Sequence, residues 1–153
     1  MVENIKIEKE YVEKLYKSIE HVHNRIINET GGQSGIRDSG GLYASLYIIL
    51  KFKYKNLNKP FHVAAFIYEE LARKHHFFDG NKRTAHYYAK FTLILFGYHF
   101  KIKYKEALPF LLKIAEYQSK VKSNEIVDWI KTNSIIIEVD EIENYINNLI
   151  KIE

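Results

Sequence analysis

The chain has 153 residues, enough to fill one hydrophobic core and too few to fill two well. It contains no cysteine, which excludes disulfides, thiolate metal sites and thiol nucleophiles together. Against 19 Asp and Glu stand 23 Lys and Arg, a net charge of +4 with no block of five like charges, so charge gives no argument for a nucleic-acid partner.

The opening MVENIKIEKEYVEK has neither an apolar core nor a small-residue cleavage site, so it does not read as a signal peptide. No apolar run approaches the ~18 residues of a membrane span. A cytoplasmic protein without a membrane partner is expected. With only 2 Pro and 7 Gly, most of the chain can run through regular structure.

Val12, Leu15, Ile19, Val22 and Ile26 recur at three and four, which predicts a first helix over Ile7–Asn28. Gly31 is placed to end it as a left-handed cap. The glycine-rich GGQSGIRDSGG follows, and Asp38 or Ser39 can cap a second helix, Leu42–Leu50. Next comes KFKYKNLNK, Lys51–Lys59, whose alternation of basic and apolar residues suggests an extended segment or hairpin.

Pro60 suits a first helical position. The third helix, Phe61–Arg73, presents Val63, Ala64, Ile67 and Leu71 on one face. A fourth begins near Lys82, after HHFFDGN, and Gly97 stops it after Phe96. YHFKIKY reads as a short strand or loop. Helices over Ala107–Gln118, Ser123–Lys131 and Asp140–Ile150 complete the set, the last opening on a capping-box-like Asp140 and Glu143. The β-branched Ile135–Ile137 reads equally as a short strand. The fold class expected is all-α, a helical bundle with room for a small β-hairpin on one edge.

Chemistry concentrates in His75-His76-Phe77-Phe78-Asp79-Gly80-Asn81-Lys82-Arg83. A helix N-terminus prefers acidic residues, yet the fourth helix opens with two cations, a mismatch of about 0.3–1 kcal/mol per charge. A bound phosphate resolves it. The free N–H groups after Gly80 would face the anion, and Lys82 and Arg83 would complete its shell. Gly80 permits close backbone approach. Arg83 can grip phosphate oxygens bidentately. Asn81 can orient an oxygen by its amide. Asp79 is a hard carboxylate suited to Mg²⁺ shared with nucleotide phosphates. His75, beside this cradle, can accept a proton from a hydroxyl at neutral pH. A base beside a phosphate cradle suggests phosphoryl or nucleotidyl transfer. Phe77 is the residue expected to plug the loop into the core.

The nonapeptide resembles the Fic/Doc (Fido) signature, H-x-F-x-[DE]-[GA]-N-[GK]-R, with His76 at a variable position where many members have Pro. Gly31–Asp38 and GNKRTA leading to FGY are similar to the death-on-curing, Doc-like branch. The likeness covers a motif core of about 19–100 within a single Fido domain, 1–153, whose C-terminal helices, about 106–153, are less distinctive. It implies a Fido-type helical bundle in which His75 is the general base. Gly80, Asn81, Lys82 and Arg83 would bind the nucleotide phosphates, and Asp79 would hold Mg²⁺ with them. It also implies a flap upstream of the motif that aligns the target, for which Lys53, Tyr54 and Lys55 are the candidates.

Lys82 stands where AMP-transferring members usually carry Gly. It is the Doc-like residue, so transfer of the ATP γ-phosphate to a Ser, Thr or Tyr hydroxyl of a target protein is favoured over AMP transfer, while Gly80 pulls toward AMP. A catalytically idle Fido-fold binding module is the alternative of another class. The self-inhibitory [ST]-x-x-x-E-[GN] element has its nearest match at Ser134–Glu138, but Val139 follows instead of Gly or Asn. Its absence implies a toxin restrained by a separate antitoxin, with a translation factor among the implied targets.

Overall fold

The computed structural model describes residues 7–149. The elements run α1 (Lys9–Thr30), α2 (Ser39–Lys55), α3 (Pro60–Arg73), α4 (Asn81–Leu95), β1 (Tyr98–Phe100), α5 (Tyr104–Ala115), α6 (Ser123–Thr132), β2 (Ser134–Ile136) and α7 (Ile142–Asn147), with a 3₁₀ turn over Val139–Glu141 before α7. The all-α expectation holds. The two short runs read as strand or loop pair antiparallel, Tyr98 opposite Ile136 and Phe100 opposite Ser134.

The central element is α3, packed against α2, α4, α5 and α6. The sequence shows one apolar face, but Ala65, Tyr68, Glu70 and Ala72 are buried as well. A helix covered on all sides is a core helix, not an amphipathic surface one. Pro60 occupies the start of α3, where its missing N–H is harmless. Helix α1 lies across α2 and α4, with Val12, Ile19 and Ile26 fully buried.

Helix α2 is longer than its sequence suggests. Asp38 caps it, accepting from the Gly41 N–H at 2.8 Å. Its buried positions Leu42, Ser45, Leu46 and Ile49 keep helical spacing, and Phe52 continues the stripe by stacking on Phe66 at 4.4 Å. Lys51–Lys55 is therefore helical, which corrects the extended reading of that segment. Lys53, Tyr54 and Lys55 form the last turn of α2, and the Lys53 ammonium lies 5.9 Å from the Phe96 ring centre. Phe96 caps the C-terminus of α4, which places these residues roughly 20 Å along that helix from its start at Asn81.

At the C-terminal end, Asp140 and Glu143 form no capping box, since α7 begins after the 3₁₀ turn and has no side-chain cap. The expected helix end at Ile150 lies outside the described residues. Ser134 belongs to a strand, and its hydroxyl donates to the Ile130 carbonyl.

Candidate active site

The nonapeptide forms the turn between α3 and α4 and is tied down on both sides. Ile36 and Phe77 form an antiparallel bridge. The Arg37 and Asp38 N–H groups donate to the His76 carbonyl at 2.7 and 3.0 Å, and the Phe78 N–H donates to the Gly35 carbonyl. The loop GGQSGIRD thus lies as a short strand against the motif. Phe77 is 2% exposed and stacks face to face on the buried His23 ring at 3.8 Å. It plugs the loop into the core as expected, and burying such a ring contributes about 1.5–3 kcal/mol.

His23 does more than stack. Its Nε2 lies 2.7 Å from the Asp79 carbonyl, an acceptor only, so this nitrogen carries the proton and donates. Asn81 closes the turn from the other end. Its amide oxygen accepts from the Phe77 N–H and its amide nitrogen donates to the Phe77 carbonyl, both at 3.0 Å. The side chain of Asn81 is engaged within the loop, and what it offers to the cavity is its backbone N–H at the start of α4.

Gly80 sits at φ +77°, ψ 15°, the left-handed region that glycine adopts without strain. A Cβ there would meet Ile27 at 3.2 Å and His23 at 3.4 Å. Helix α4 has no side-chain cap among the described residues, so its first-turn amides are left without an intrahelical acceptor.

His75 and the loop open onto one cavity of about 270 Å³, which Asp79, Lys82 and Arg83 also line. His75 itself is exposed. The Gly80 N–H, at 2.7 Å, chiefly holds the Asp79 carboxyl below the usual carboxylate range, with help from the Gln33 N–H at 3.3 Å and from Arg83 against the opposing effect of burial. It is ionised at neutral pH and half exposed. Arg83 is anchored before any ligand arrives. It donates to the Thr30 hydroxyl and to the Gly31 carbonyl at 2.7 Å, and pairs with Asp79 at 3.3 Å. Lys82 has no ion-pair partner among the described residues.

Asp79 is a fit donor for a hard divalent cation, but no group of three His, Asp or Glu side chains gathers near one point among the described residues. Such an ion would need the phosphate oxygens of its own nucleotide as further ligands, the usual habit of Mg²⁺.

Sequence reasoning missed three contributors. His23 lies in the middle of the first helix, where no motif or spacing marks it. His76, at a variable motif position, is buried and locked. Ser45 donates to Glu70 at 3.0 Å, and a hydroxyl has one proton, so His76 Nε2 must donate to the Ser45 oxygen at 2.7 Å. Lys74 pairs with the same Glu70 oxygen. Burial lowers the His76 pKa, with Asp38 the main opposing influence, so the ring is neutral at pH 7. Tyr104, from the first turn of α5, lines the same cavity as His75.

An exposed histidine beside an ionised carboxylate and two cations, in an all-helical frame, is an arrangement that suits an anionic ligand. Residues 14–93, more than half of the chain, match the Fic/DOC family, and the chain belongs to that family. Members generally transfer nucleotide-derived groups to proteins. No curated protein matches the chain significantly.

Proposed function

We propose that this chain, as a single Fido domain, transfers the γ-phosphate of ATP to a Ser, Thr or Tyr hydroxyl of a target protein, as a Doc-like toxin does. One observation carries the proposal: His75 shares a cavity with the unpaired first-turn amides of α4 and the uncommitted cation Lys82. The triphosphate settles over Gly80, the Asn81 N–H, Lys82 and Arg83. Mg²⁺, when bound, would supply charge neutralisation on the phosphates, and Asp79 is the residue that would hold it. His75 accepts the target hydroxyl proton as the oxygen bonds to the γ-phosphorus. The bond from that phosphorus to the β–γ bridging oxygen breaks, and ADP leaves.

In this proposal the target-aligning role passes from Lys53, Tyr54 and Lys55 to Gln33–Ile36. The bridge turns the Ile36 N–H and C=O away from Phe77, and they have no partner among the described residues. An extended target chain can pair along that edge, two residues of backbone from the motif. The chain acts in the cytoplasm, with a translation factor as one target and a separate antitoxin as its restraint. One fact supports a separate restraint: the nearest self-inhibitory match starts in a strand. No helix of the described residues is long and apolar enough to cross a membrane. AMP transfer is the competing reaction, favoured only by Gly80.

The test is label transfer from Mg²⁺-ATP to proteins of a lysate. Label from the γ position alone, lost in His75→Ala, is the expected result. Label from the α position alone establishes AMP transfer. Nucleotide binding with no transfer of either label identifies an idle binding module.

A further inference from the structure

We infer that Tyr104 touches the nucleotide held in this cavity, its hydroxyl donating a hydrogen bond to a phosphate oxygen opposite Lys82 and Arg83. The inference rests on the cavity being a nucleotide site. Among the described residues Tyr104 is the one lining residue that comes from outside the motif segment, so it forms a wall that the nonapeptide alone leaves open. Its ring is anchored from behind. Tyr104 and the fully buried His86 pack in a T-shaped pair, 5.8 Å between centroids and 65° between planes, and His86 is bonded through Nδ1 to the buried Tyr68 hydroxyl.

The surroundings of the Tyr104 hydroxyl suit a phosphate. Burial raises the Tyr104 pKa, with Arg83 opposing the shift and Asp79 adding to it. The phenol stays protonated and serves as a donor. Tyr104 is also the first residue of the twelve-residue α5, a helix start fixed by the Lys103 N–H donating to the Glu106 carboxylate at 3.4 Å.

Tyr104→Phe removes one oxygen and keeps the ring packed on His86. Calorimetric titration of the whole chain with Mg²⁺-ATP and with Mg²⁺-tripolyphosphate tests the contact, with thermal melting as the folding control. Loss of a hydrogen bond to a charged group weakens both ligands by about tenfold in the variant. Unchanged affinity for both overturns the inference. So does weakened ATP with unchanged tripolyphosphate, since the contact is then to the nucleoside. If the wild-type chain itself binds neither ligand, the nucleotide reading of the cavity falls, and that result is distinct from the others.

Discussion

Two adjacent glycines separate backbone strain from contact with the site. Gly31 lies at φ +86°, ψ 172°, and Gly32 at φ +113°, both outside the range of L side chains. A Cβ on Gly31 meets nothing within 4 Å, whereas a Cβ on Gly32 comes within 2.4 Å of Asp79 Oδ2 and 3.0 Å of Arg83 Nη2. Each substitution by alanine costs about 1–3 kcal/mol of backbone strain. In a chain of this size that lowers Tm by roughly 4–8 °C for 2 kcal/mol. Only Gly32→Ala also evicts the Asp79 carboxylate, whose partners are the Gln33 and Gly80 N–H groups and Arg83. The collision is with the end of a half-exposed side chain, so the fold survives while the carboxylate proposed to hold Mg²⁺ swings away. Displacing such a ligand weakens Mg²⁺-ATP binding on the order of tenfold. Calorimetric titration of both variants, beside their melting curves, is the assay. Equal affinity losses in the two variants, or full affinity in Gly32→Ala, refute the close-approach account.

His23→Leu leaves the Asp79 carbonyl without its donor and costs about 1–3 kcal/mol, visible in chemical denaturation. His23→Gln, which keeps an N–H, recovers part of that loss, and equal destabilisation by both variants defeats the positioning role. Burial lowers the His86 pKa from 6.5 to about 3. The unfolded chain therefore binds a proton that the folded chain refuses between those values, and stability falls as pH drops through 6.5 toward 3. The slope from this residue reaches about 1.4 kcal/mol per pH unit. His76 and His99, also lowered by burial, add in the same direction. Urea unfolding of wild type and His86→Leu between pH 6 and 4 measures the difference in slope, and parallel slopes refute it.

The motif was legible because its residues are contiguous and most are of a type suited to an anionic ligand; Asn81 is the exception, its amide closing the turn on Phe77. The side chains that hold it in place were not. His23 reaches Asp79 across 56 positions, and Arg83 reaches Thr30 across 53, distances over which no spacing rule operates. Lys51–Lys55 misled for a different reason. Its residues alternate, but Phe52 extends the stripe of Ile49 at helical spacing, and packing on Phe66 decided the local conformation. KIKYK, 101–105, has the same alternation and sends Tyr104 to the cavity from a helix start.

The wrong-sign opening of α4 is half resolved within the chain. Arg83 donates to Thr30 and to the Gly31 carbonyl, at the end of α1 where a helix carries its negative pole, and pairs with Asp79 besides. One cation is thereby balanced by the fold. Lys82 is not: it lines the cavity with no ion-pair partner among the described residues, next to amides that carry the positive pole of α4. The charge left over is local, positive and directed at the space beside His75. A polyanion is the ligand that balances it, and the same imbalance explains why α4 begins with glycine and no capping side chain. A capping carboxylate would occupy the amides that the proposed function assigns to the phosphates.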